Sequence, residues 1–70
     1  MEKVDETTHI PQALHIALKM EQESASFYLK GIEEVVDPGV KQLFRELLEE
    51  EKLHIDRIQR LIDKELYQEN

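Results

Sequence analysis

From Val40 onward the chain carries an apolar line in steps of four and three: Val40, Phe44, Leu47, Glu51, His54, Ile58, Leu61 and Glu65. Such spacing forms one continuous face on an α-helix, and Leu43, Leu48, Ile55 and Ile62 widen it into a broad stripe. An earlier line has the same rhythm: Leu14, Leu18, Glu21, Ala25, Tyr28, Ile32 and Val35. Between the two, "VVDPGV" breaks the pattern, with Asp37 suited to cap a helix and Pro38 to its first position. The spacing predicts helix 1 over about 9–36, a turn at about 36–38 and helix 2 over about 38–67. A connection this short makes the helices antiparallel neighbours. Residues 1–8, "MEKVDETT", have little apolar content and no period, so a mobile arm is expected there, with Thr8 a candidate cap ahead of Pro11.

Seventy residues make one small domain that buries too little surface to be stable alone without a disulfide, a metal or a partner. Cysteine is absent, which excludes a disulfide framework, a zinc ribbon and a thiol nucleophile. Oligomerisation and a metal held by oxygen and nitrogen ligands remain. The formal charge of −7 argues against nucleic acid or an anionic membrane as partner, because phosphate needs clustered Lys and Arg. Met1–Asp5 lacks the basic region and apolar run of a signal peptide, and no apolar stretch approaches the roughly 20 residues of a bilayer span. The expected compartment is the cytoplasm, and the expected fold class is all-α.

Both seams are interrupted by polar residues at core positions. Glu21 and Glu51 each lie 15 residues from position 36, so at about 1.5 Å rise per residue they face each other at one height. His54 is one turn beyond Glu51 on the same side. Two bare carboxylates in a leucine-lined seam cost several kcal/mol unless they are protonated, reach solvent or share a cation. Carboxylate oxygens with an imidazole nitrogen suit iron, manganese or zinc, with iron and manganese favoured where carboxylates outnumber histidines. Carboxylate-bridged dimetal sites in helical bundles take a Glu from each of two helices and a Glu-x-x-His from each of the other two. Two copies of this hairpin about a twofold axis supply that set, and dimerisation also covers the apolar seam.

The run from Ala13 to Leu66, with Glu21 seven residues before Tyr28, the "DPGVKQLF" start of helix 2 and Glu51-x-x-His54, resembles one half of a rubrerythrin-type ferritin-like bundle. With a single hairpin, it looks most like the encapsulated-ferritin group. The resemblance implies an antiparallel hairpin that dimerises into a ferritin-like four-helix bundle. It further implies a di-iron ferroxidase centre between chains, with Glu21, Glu51 and His54 as iron ligands and Tyr28 just outside them. Larger rings and an encapsulin-type shell are further partners it implies, which would put the protein inside a nanocompartment. The closing "ELYQEN" has no likeness to a shell-targeting peptide, so cargo status stays open. The cysteine-rich module of full rubrerythrins has no counterpart here.

Glu-x-x-His alone is weak evidence, since twelve of the seventy residues are Glu and about one His in six has such a neighbour by composition. Glu6-x-x-His9 repeats the spacing without a facing acid. His15 is expected at the seam's edge or in solvent. Glu49 and Glu50 read as a solvated face, Glu23 as exposed, and Tyr28 as core whose phenol could do no more than hydrogen-bond a carboxylate. The alternative function is a non-catalytic helical assembly module, with a structural cation or no metal, in which the seam acids set partner choice.

Overall fold

A computed structural model describes residues 9–66, the side chains from Ile10 to Lys64 among them. The expected arm at 1–8 and the last residues of the chain lie outside that range. Two α-helices make up the described chain, α1 (His9–Glu34) and α2 (Pro38–Leu66), packed as an all-α hairpin. Neither helix is long and apolar enough to cross a membrane.

Helix α1 ends two residues before the expected position 36. Its last backbone hydrogen bond runs from Val35 N–H to Gly31 O at 2.8 Å. The cause lies in Pro38, whose ring disfavours helical backbone at Asp37 and so forces the chain out of α1 beforehand. Asp37 then starts α2: its Oδ2 accepts from Val40 N–H at 2.9 Å and its carbonyl from Lys41 N–H at 3.0 Å. A cap of this kind is worth about 1 kcal/mol.

Near the turn the helices meet through rings. Phe44 packs against Phe27 and Tyr28, with centroids 6.1 and 5.7 Å apart, and Phe27 meets Tyr28 edge to face at 5.6 Å. Gly31 makes this possible, because a Cβ there would run into the Phe44 ring. Such a glycine sits mid-helix at a cost of about 1 kcal/mol relative to alanine, so its place is explained by packing.

One layer of two helices is thin, and the Cα atoms span 51 × 28 × 13 Å. Among the described residues only Ile62 is buried, at 4 % exposure. Leu61, expected in the seam, is half exposed, so the stripe is rotated to put Ile62 against α1. Ile16, Met20, Phe27 and Leu43 are also left largely in water. The hairpin therefore has an interface between its helices but no interior.

Gly31→Ala should lower the thermal midpoint even though alanine is the better helix former, and pairing it with Phe44→Ala should remove the clash and the penalty specific to it. A midpoint raised by Gly31→Ala alone would contradict the packing account.

Candidate metal site

Halfway along the hairpin the two interrupted seams meet. Glu21 comes from the middle of α1, and Glu51 and His54 come from α2, where residues three apart stand over one another. One ligand atom from each of the three falls within 4.8 Å of the others. His54 Nδ1 lies 3.2 Å from Glu21 Oε2 and 4.0 Å from Glu51 Oε1. The side chains grade outward, Glu51 being 14 % exposed, Glu21 28 % and His54 44 %.

Glu51 is the most constrained of the group. Its Oε2 is buried and has no hydrogen-bond partner among the described residues. Its acidity shows the strain of that position: the carboxyl is held above the usual range first by a hydrogen bond shared with Glu21. Desolvation and the negative charge of Glu21 raise it further, Glu50 adds a little, and His54 acts in the opposite direction. Two facing carboxyls, one of them held above its usual range by the other, are a donor set short of a positive charge.

Lys52 and Arg60 do not supply it. Lys52 pairs with Glu49 at 3.0 Å and Arg60 with Asp56 at 2.9 Å, both on the exposed side of α2. The set fits a divalent cation of the iron, manganese or zinc kind: two carboxylates, one imidazole and an oxygen atom without a donor. Beside it a groove of ≈ 350 Å³ is lined by Glu21, His54, Arg57, Ile58 and Leu61, so the triad opens to one face of the hairpin.

The structure thus brings together Glu21, Glu51 and His54. Tyr28 packs in the aromatic cluster with Phe27 and Phe44 and makes no hydrogen bond to either carboxylate among the described residues. Glu23, Glu49, Glu50 and His15 are exposed, while Glu6 and the side chain of His9 lie outside the described residues. Sequence reasoning missed Arg57 at the groove. Its signal was an arginine with no acid three or four positions away on its own helix.

The raised acidity constant of Glu51 has a definite consequence for the metal-free protein. A carboxyl that binds its proton more tightly when folded contributes stability fully below its unfolded value. That contribution is lost as pH rises through the higher folded value. Between about pH 4 and neutrality the metal-free wild type should therefore lose more stability than Glu51→Gln, read as thermal midpoint by circular dichroism. Parallel curves for the two proteins would show that the pair carries no such strain.

Comparison with the curated proteins and with the solved structures gives no match. A scan against family models matches residues 2–62 to Rubrerythrin. The matched span takes in the first seam, the turn, the second seam as far as Leu61 and all three clustered side chains. The chain, an all-α hairpin with a carboxylate and histidine cluster at its middle, belongs to the Rubrerythrin family.

Proposed function

We propose that the protein is an iron-binding, ferritin-like oxidoreductase in which two chains join their clusters into one di-iron ferroxidase centre. The observation that carries this reading is the buried, partnerless Oε2 of Glu51 between Glu21 and His54. A protein surface can shed such an atom by turning it to water, whereas this one is kept in the seam. Glu21, Glu51 and His54 would hold the iron, with Glu51 beside both other donors, and a second copy would double the set to four carboxylates and two imidazoles.

Bound iron supplies the redox chemistry: two Fe(II) release two electrons, which with two protons reduce dioxygen to hydrogen peroxide, or hydrogen peroxide to two waters. Bound cations would keep the Glu21 and Glu51 carboxylates deprotonated, and the half-exposed His54 leaves the groove side open to the oxidant. Tyr28 is proposed as the outer residue that orients a carboxylate or accepts an oxidising equivalent once the bundle is closed. Manganese or zinc would occupy the same donors without the same turnover. A hairpin 13 Å thick encloses no space for mineral, so storage needs a separate shell of the encapsulin type. The proposed location is the cytoplasm or the lumen of such a shell.

The exposed apolar face favours a second reading, a helical assembly module in which the acids only tune partner choice. The two readings part on one pair of variants. Under the ferroxidase reading, Glu51→Ala and His54→Ala each bring Fe(II) oxidation, followed by oxygen consumption and ferric absorbance, down to the rate in buffer. Wild-type rates in both variants would contradict it. Under the assembly reading the wild type consumes no oxygen with Fe(II), and Glu51→Leu with His54→Leu gives a more stable dimer.

A further inference from the structure

Arg57 is the charged residue of the triad's groove that the metal site does not use. It lines the groove of ≈ 350 Å³ together with Glu21, His54, Ile58 and Leu61. Every other basic residue from Lys19 to Arg60 has an acid three or four positions away on its own helix, whereas Arg57 has Leu53, His54, Arg60 and Leu61 there. The acid next to it, Asp56, is engaged by Arg60 at 2.9 Å. Among the described residues Arg57 forms no ion pair.

Side chains on a helix lean toward its N-terminus, so the two helices of an antiparallel pair lean in opposite directions. Glu21, level with Glu51, therefore tips toward the height of His54, where its Oε2 lies 3.2 Å from Nδ1. Arg57, one turn beyond His54, tips back toward the same height. The guanidinium and the outer edge of the triad thus border one volume, with Ile58 and Leu61 as its apolar wall. An apolar wall lowers the local dielectric and strengthens a hydrogen bond between charged groups.

Charge selects the ligand that fits there. As carboxylates, Glu21 and Glu51 neutralise two charges of an ion they hold. A trivalent product ion leaves one positive charge over, and Arg57 adds a second. We propose that the groove binds a small divalent oxyanion of the phosphate class, one side of it on the planar fork of Arg57 and the other toward the triad's cation. This site rests on the metal-binding reading of the triad and adds a second ligand to it. Without an anion, a guanidinium beside a cation site opposes metal binding; with an oxyanion between them, the same residue favours it. Metal and phosphate then raise each other's affinity by one common factor.

Zinc(II), which has no redox chemistry, allows a test that needs no turnover. Zinc affinity of the full chain is read by competition with a chromophoric chelator, and inorganic phosphate is titrated by calorimetry into metal-free and zinc-loaded protein. In the wild type, zinc should tighten phosphate binding by about tenfold or more, the effect of one charge-assisted Arg–phosphate contact. Arg57→Gln should abolish that gain and, in phosphate-free buffer, bind zinc more tightly than the wild type. Arg57→Lys, which keeps the charge and loses the fork, should retain part of the gain. Arg57 is exposed, so neither substitution removes packing between the helices. Equal phosphate binding by the wild type and Arg57→Gln would mean an adventitious ion only, and nitrate binding as well as phosphate would overturn the choice of a dianion. Loss of the oligomer in Arg57→Gln, by sedimentation without phosphate, would assign the guanidinium to an acid of the second copy and overturn the anion site. Zinc bound no better by the wild type than by Glu51→Ala defeats the metal reading and this site with it, whereas tight zinc without phosphate coupling defeats this site alone.

Discussion

Two carboxylates facing each other at one height inside a helical pair set the terms for everything else in this molecule. Glu21 and Glu51 repel as anions and lose hydration when half-buried. In the metal-free hairpin the Glu51 carboxyl is pushed above its usual range beside Glu21, and His54 Nδ1 lies 3.2 Å from Glu21. Leucine at either position would remove the conflict. A site that keeps both acids, adds an imidazole and leaves Glu51 Oε2 without a donor among the described residues has the donor set that a cation would satisfy.

A second constraint comes from thinness. With Ile62 the only buried side chain among the described residues, the hairpin lacks the interior that usually stabilises a domain of this size. Its cohesion depends on the aromatic cluster at the turn, the Asp37 cap and the strip of contact between helices. In the proposed two-chain centre metal and partner would answer the same deficiency: a cation would relieve the seam, and a second copy would cover exposed apolar side chains. Stability and chemistry would then draw on one set of contacts, and iron affinity should be linked to dimerisation.

Much of this was legible in the sequence because straight antiparallel helices leave little freedom. The level of Glu21 and Glu51 follows from counting outward from the turn at a common rise, and the His54 position from the spacing of one helical turn. Other features needed three dimensions. The stripe on α2 is broad enough to meet α1 along either of two edges, so periodicity alone put Leu61 inward where the structure buries Ile62. The seam through Val35 suggested a longer α1, while Pro38 acting on Asp37 ended it at Glu34. Gly31 against Phe44 was invisible to pattern, since a glycine within a helix carries no hint of the ring that fills its place. The packing of Tyr28 with Phe27 and Phe44 depends on the side-chain directions of three rings.

Native mass spectrometry during anaerobic Fe(II) addition tests the central claim most directly, because it reports the number of chains and the number of metal ions in the same particle. The account predicts that iron enters in pairs, two ions per two chains, on species with an even number of chains, and that single chains stay iron-free. Iron bound to single chains, or an oligomer whose mass is indifferent to iron, would contradict a centre shared between two copies.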